Sequence, residues 1–379
     1  MHSRFVPVAT LCASLAALTA PVFALDAFDF SSPREKGMGG SHVALADDFS
    51  VLLSNPAGLA DVPRQFSAAD LGIQAIGPVF DIANLIVSGA TTTSITDFLA
   101  ANNYKLYSGL DIQGPIAFGF TGGGLGFGLF NKTGMTVNVA SASSIVATVD
   151  ESILLTGGYA VRFDLGKGHE LSAGVTTKGF VRGDIVKNMG ILEAVGLASN
   201  LSSILSSPFT LTTGIGLDAG LRWAWEGKVA AGLVCHDIYS PALVTTYSSA
   251  TDFFNSSPGV SSYDTLHRSL DFGLSWSPVL GRLDQVLDSL IFALDYRDIL
   301  DLTSLVPRNP ILNVGLGVEA RVLEIVTLRA GINEALLSAG IGLNLGVLTI
   351  NLVAYGAELG LDPGDRPYYN LLADFDFKY

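Results

Sequence analysis

Charge is scarce in this sequence. Asp, Glu, Lys and Arg make up 15% of its 379 residues, where a soluble domain carries about 25%. Hydrophobic residues make up 49%, and the mean hydropathy is +0.45, so part of the surface must face something other than water. Cysteine is nearly absent. Cys12 lies in an apolar leader with no lipobox before it, which argues against a lipid anchor. Cys235, left alone after removal of that leader, cannot close an internal disulfide. No long basic block occurs and the formal charge is −14, so nucleic-acid binding has no electrostatic support. The later histidines (His42, His169, His236 and His267) are scattered, and no His/Cys pair has zinc spacing. Gly122–Gly128 is glycine-rich but lacks the Lys-Ser/Thr ending of a phosphate loop and opens no helix. No Gly-x-Ser-x-Gly elbow occurs. The expectation is a chain that is not an enzyme, with no catalytic residues, no metal and no cofactor.

What is present points to export and then to a membrane. Arg4, the mostly apolar run Phe5 to Leu18 and the small-residue pattern Val22-Phe23-Ala24 predict a signal peptide over 1–24, cleaved after Ala24. The run is too short for a lasting transmembrane helix. An exported chain without disulfides draws stability from another source, and a closed hydrogen-bonded barrel in lipid supplies one.

The segment from Leu336 to Leu361 carries one charge, Glu358, and is long enough for a membrane helix. Its period is two, however: Ile341, Leu343 and Leu345 alternate with Gly340, Gly342 and Asn344. That is a strand signal. The same alternation recurs at Leu312–Glu319, Ile215–Trp225, Leu290–Arg297 and Leu270–Trp276. Lipid-compatible residues fill one face and Gly, Asn, Asp or Arg the other. The fold class expected is all-β: a transmembrane antiparallel β-barrel of about 14 strands, with an N-terminal plug and short helices in the outer loops. The predicted cores are 66–76, 108–121, 124–137, 152–164, 169–182, 211–225, 228–239, 268–278, 289–298, 311–322, 325–334, 337–345, 347–358 and 368–379. Short turns follow even strands, and longer loops (77–107, 183–210, 240–267 and 299–310) follow odd ones. Two connections break this rule: 279–288 is long for a turn and 335–336 short for a loop. The phase places both termini in the periplasm of a bacterial outer membrane. The last strand, 368–379, presents Tyr369, Leu371, Ala373, Phe375, Phe377 and Tyr379 as one stripe. It looks like the signal read by barrel-assembly machinery, an expected partner alongside membrane lipid.

Residues 25–64 do not alternate. Ser41 is placed to cap a short helix over 42–49, and Asn55-Pro56 initiates a turn. The elements Gly37-Met38-Gly39-Gly40, Ala44-Leu45-Ala46-Asp47-Asp48 and Asn55-Pro56-Ala57-Gly58-Leu59 resemble the amino-terminal plug of FadL-type long-chain fatty-acid transporters. The resemblance implies a division into 1–24, signal peptide; 25–64, a plug inside the barrel; and 65–379, the outer-membrane barrel. It implies plug or gate roles for Gly37, Gly39, Gly40, Asp47, Asp48, Asn55, Pro56, Ala57 and Gly58. It also implies binding of a hydrophobic small molecule at outer loops, entry when the plug shifts, and sideways exit into the membrane. PorV-like barrels, partners of a secretion system, share a similar start.

Candidate ligand contacts come from two sources. In loop 183–210, Ile191, Val195, Ala198, Leu201 and Leu205 follow helical steps and, with Ile204, suit a greasy landing site. In the strands, Arg222, Arg321 and Arg329 fall on the non-lipid phase, where an arginine can hold a carboxylate bidentately. The function expected is passive uptake of long-chain fatty acids or similar hydrophobic molecules through a plugged barrel. A PorV-like scaffold and a diffusion porin are the alternatives.

Overall fold

The computed structural model describes Leu25 and residues 28–378, except 31, 46, 90, 115–116, 142–143, 191–192, 195–196 and 198–199. The expected signal peptide therefore lies outside the described residues.

Strand segments join into one antiparallel sheet of 14 staves. We number them β1 (Gln65–Ile76), β2 (Leu106–Gln113 and Phe118–Gly122), β3 (Leu125–Ser141), β4 (Ser144–Gly166), β5 (His169–Met189), β6 (Phe209–Trp225) and β7 (Val229–Tyr239 and Pro241–Tyr247). The second half comprises β8 (Val260–Thr265 and Ser269–Trp276), β9 (Leu287–Tyr296), β10 (Val314–Val322), β11 (Val326–Asn333), β12 (Leu336–Asn344), β13 (Leu348–Glu358) and β14 (Pro367–Lys378). β1 pairs with β14, with Asp70 opposite Asp376 and Ile73 opposite Ala373, which closes the barrel. Closure leaves no unpaired sheet edge to be satisfied in lipid. Among the described residues no helix is long and apolar enough to cross a membrane.

The period-two pattern sets which residues face out. Leu316, Leu328, Leu337 and Ile341 are 40–71% exposed on the outer wall, the reverse of what water would select. Trp276 stacks on Phe292 at 5.4 Å on the same apolar face. The opposite phase buries Asp218, Asp295, Glu319 and Asp374 inside the barrel. This is the lipid-out, polar-in arrangement of a membrane barrel.

Several boundaries differ from expectation. β4 and β5 run for 23 and 21 residues, about twice what a tilted strand needs to cross a bilayer. Loop 183–210 thus starts only after Met189. Both ends of the expected loop 240–267 are strand, because Leu243, Val244 and Thr245 pair with Tyr263, Ser262 and Ser261 and so satisfy their backbone groups. β10 begins at Val314, since Pro310–Asn313 forms a 3-10 turn. The short connection at 334–335 is a two-residue hairpin in which Glu334 and Ala335 have φ of 50° and 64°, the geometry tight hairpins require.

Five short α-helices are described: α1 (Pro33–Gly37), α2 (Val51–Ser54), α3 (Val79–Val87), α4 (Thr92–Ala101) and α5 (Ala250–Phe254). No helix starts at Ser41. The amides of His42 and Val43 donate instead to Asp295 Oδ2 on β9, at 2.6 and 2.8 Å. The Ser cap is at Ser32, whose Oγ accepts from Glu35 N at 3.2 Å to open α1.

Candidate functional site: the filled lumen

The segment 28–64 lies against the inner wall, and wall glycines make room for it. A Cβ at Gly331 would stand 2.5 Å from Gly39 N, and one at Gly315 2.6 Å from Gly39 O. Similar clashes would arise at Gly174 against Pro56 and at Gly232 against Val43. Asn55 is fully buried and caps the 3-10 turn Pro56–Ala60, its Oδ1 accepting from Ala57 N at 3.1 Å. Its Nδ2 donates to Val43 O at 2.8 Å and to Leu221 O of β6 at 3.3 Å. The Asn55-Pro56 element therefore ties one half of the segment to the other and both to the wall.

A charged lock crosses from segment to barrel. Arg34 on α1, 8% exposed, donates to both carboxylate oxygens of Glu319 on β10, at 2.7 and 2.9 Å. The same guanidinium pairs with Asp47 and Asp48. Arg329 Nε of β11 meets Glu319 Oε2 at 2.8 Å and its Nη1 donates to Asn351 Oδ1 at 3.0 Å. Arg222 holds Ala44 O at 2.9 Å and Asp61 Oδ2 at 2.7 Å, and Arg162 meets the other oxygen of Asp61. Bidentate, charge-assisted bonds of this kind are strong and directional.

His42 sits behind the lock, 2% exposed. Its Nδ1 is 2.9 Å from Ser54 Oγ, its Nε2 2.9 Å from Ser50 Oγ and 3.5 Å from Asp48 Oδ2. Burial works to lower its pKa, but the adjacent Asp48 carboxylate outweighs burial and raises it above the ordinary histidine value. Asp48 is in turn held well below the carboxylate range, since His42 and Arg34 outweigh the burial that would raise it. The His42 contribution to docking is full below the ordinary histidine value of about 6.5 and is lost as pH rises through its raised value. The Asp48 contribution is present above about 3.9 and lost only at much lower pH. Protease cleavage within 28–64 is therefore expected to rise severalfold between pH 6 and pH 9 while the strands stay protected. His42→Gln is expected to flatten the profile, and a wild-type profile already flat over that range would refute the assignment.

Above the lock the lumen changes character. Phe130 on β3, Leu154 on β4, Phe180 on β5, Gly214 on β6 and Ala242 on β7 stand in register across five neighbouring strands. Their apolar side chains form one cluster with Phe30, Ala117 and Leu266, against which Leu25 and Phe28 pack. Phe28 lies 4.8 Å from the Phe180 ring and Phe30 6.1 Å from that of Phe130. Leu25 reaches the wall itself, where it bridges Leu266 in the interruption of β8. One step along the same strands the inward residues are polar: Lys132, Ser152, Lys178 and Arg182. On either side of Phe28-Asp29-Phe30 lies a chamber, one of about 280 Å³ and one of about 440 Å³.

The expected site residues are distributed as follows. Gly37, Gly39, Gly40, Asn55, Pro56, Ala57 and Gly58 are buried in the lumen, and Asp47 and Asp48 flank Arg34. Arg222 and Arg329 are engaged by Asp61 and Glu319, whereas Arg321 is exposed near the turn end of β10. Ile191 and Val195 lie outside the described residues. Leu201 opens the 3-10 turn Leu201–Ser206, Ile204 packs on a loop cluster around Leu99, Leu106 and Met189, and Leu205 is 43% exposed. That cluster gathers Ile82, Ile95 and Phe98 of α3 and α4 over the ends of β2–β5. Sequence reasoning missed Arg34, Asp61, Phe28 and Phe30. The one available signal was the paired phenylalanines just after the predicted cleavage point. Among the described residues no group of His, Cys, Asp and Glu is gathered to hold a metal ion.

No protein-family model matches the chain, and no curated protein matches it by sequence. Solved structures with a similar trace include the toluene transporter TodX of P. putida, at 11% identity over 92% of this chain and 98% of that one, with a TM-score of 0.48. The monoaromatic hydrocarbon channel CymD is similar at 12% identity, over 93% and 98%, with a TM-score of 0.45. A FadL homologue of Pseudomonas aeruginosa is similar at 14% identity, over 92% and 98%, with a TM-score of 0.46.

Proposed function

We propose that the protein is an outer-membrane channel that admits hydrophobic small molecules passively and is held shut by its own N-terminal segment. The observation that carries this reading is the in-register apolar row Phe130–Leu154–Phe180, set among polar inward residues and covered by Phe28 and Phe30. A water-filled pore has no use for such a row, whereas a ligand pocket is apolar with few polar anchors. On this reading 25–64 is the plug, released from an exported chain by cleavage after Ala24, and both termini lie in the periplasm. The glycines at 37, 39 and 40 with Asn55–Gly58 seat the plug, and the Leu201–Leu205 region with α3 and α4 forms the landing surface. The C-terminal strand is the contact for barrel-assembly machinery. Long-chain fatty acids are the cargo implied by the motif resemblance.

Entry of a hydrophobic fluorophore into Gram-negative cells tests this, since their intact outer membrane excludes it. Cells making the protein are expected to show saturable dye entry. Phe130→Asp with Phe180→Asp is expected to slow it by more than about tenfold, since two buried phenyl anchors of about 1.5–3 kcal/mol each are lost. Entry no faster than in cells lacking the protein would sink the reading.

A further inference from the structure

The two chambers beside Phe28 and Phe30 are unequal in charge. Asp237, Asp271 and Asp295 line the smaller one from the wall. Asp111, Asp150, Asp184, Glu334 and Glu358 line the larger. Against these eight carboxyls the wall sets four permanent cations: Lys178, Lys132, Arg182 and Arg297. All four are already engaged: Arg182 lies over the Phe28 ring at 4.1 Å and Arg297 donates to Asn333 Oδ1 at 2.9 Å. Lys132 meets Asp111 at 3.0 Å, and Lys178 lies 2.9 Å from both Asp218 and Asp237. A cleft with one sign in excess concentrates the opposite sign and repels its own.

Two further observations mark where a cation is wanted. Asp295 is 1% exposed, lines the smaller chamber, and leaves Oδ1 with no hydrogen-bond partner. In the larger chamber a cation is already present, and it comes from the chain's own α1. Lys36 Nζ stands 5.2 Å from the centroid of the buried Tyr355 ring and 3.3 Å from Asp29 Oδ1. Tyr107 and Tyr368, whose rings meet edge-on at 4.9 Å, line the same chamber. Aromatic faces beside carboxylates are a recognition surface for ammonium groups. Thus the N-terminal segment places an ammonium over tyrosine and, a few residues earlier, two phenyl groups in the apolar row.

We propose that the cargo is an apolar molecule bearing a positive charge, an amine or quaternary ammonium. Its charged group takes the position of Lys36, and its apolar body that of Phe28 and Phe30. This rests on the channel reading above but sets an amine or ammonium in place of the fatty acid that the motif implies: the segment acts as a stand-in for the cargo it yields to. A carboxylate cargo meets repulsion from the wall and finds Arg222 and Arg329 engaged with Asp61 and Glu319.

Three soluble probes with one apolar body test the charge preference: 4-phenylbutyl-trimethylammonium, 4-phenylbutanol and 4-phenylbutanoate. Binding to the full-length protein in neutral detergent is measured by calorimetry. The ammonium is expected to bind about tenfold tighter than the alcohol, a typical cation–π and charge contribution, and the carboxylate more weakly than either. Lys36→Met removes the internal competitor, so it is expected to tighten ammonium binding severalfold and leave the alcohol unchanged. Tyr355→Leu is expected to abolish the preference and Tyr355→Phe to keep it, which separates ring chemistry from folding. Carboxylate binding as tight as ammonium binding, or equal binding of all three, overturns the inference and leaves the channel reading standing. Failure of all three probes to bind overturns both.

Discussion

On the proposed channel reading, Arg34→Met should release the N-terminal segment and open the barrel. Arg34 is the only described group that touches Asp47, Asp48 and Glu319 together, and it joins the N-terminal segment to β10. Methionine keeps most of the volume but leaves Glu319, 1% exposed, with Arg329 as its remaining cationic partner. Removing one member of a buried ion pair costs about 3–5 kcal/mol because the other charge stays buried. That cost falls on docking, since the strands keep their ladder hydrogen bonds. Wild-type protein in planar bilayers is expected to stay closed, and Arg34→Met to give steady conductance together with protease cleavage in 28–64. The heat-dependent gel shift of the folded barrel is expected to persist. Arg34→Lys should fall between the two, since an ammonium cannot fork across Glu319 and still reach both aspartates. A closed, protease-resistant Arg34→Met would show that the lock does not hold the segment.

Gly39→Val should have a comparable effect by a different route. Gly39 has φ +68°, a region that costs a side-chain-bearing residue roughly 1–2 kcal/mol and a β-branched one more. A Cβ there would also collide with Leu316 O and with Ile332 backbone atoms, and the nearest ladder atoms cannot yield without parting β10 from β11. Strain and collision together are expected to exceed about 3 kcal/mol, more than a hundredfold in the ratio of docked to undocked segment. Gly346→Ala makes a control, because its φ is +88° but nothing lies within 4 Å of its Cβ position. It places a side chain at positive φ in the β12–β13 turn, away from the segment, and should leave conductance at the wild-type level. A Gly39→Val protein that stays closed would show that the close fit of the segment does not hold it.

The barrel was legible because lipid and lumen impose opposite demands on successive residues. Leu316 and Gly317, or Ile341 and Gly342, announce their faces without any knowledge of partners. Turn positions were legible for the same local reason, since Gly122-Gly123, Lys167-Gly168 and Glu226-Gly227 need positive φ. The ends of β4, β5, β7 and β8 were not, because stretches that mix apolar residues with Thr and Ser, or with Asp, Lys and Asn in β5, read as loop until a neighbour offers a ladder. Ser41 failed as a cap for a related reason: the amides it would have led into helix were taken by Asp295, some 250 residues away in sequence.

The sequence by itself determined the closed, lipid-facing barrel and the presence of a non-alternating glycine-rich segment before it, because both follow from short-range chemistry. Only the tertiary structure decided how that segment is held in the lumen. The Arg34–Glu319 lock, the row from Phe130 to Phe180 and the ammonium of Lys36 on Tyr355 join residues from distant strands. Periodicity can assign such residues a face, but the register of β3–β7 and the path of the segment alone bring them together.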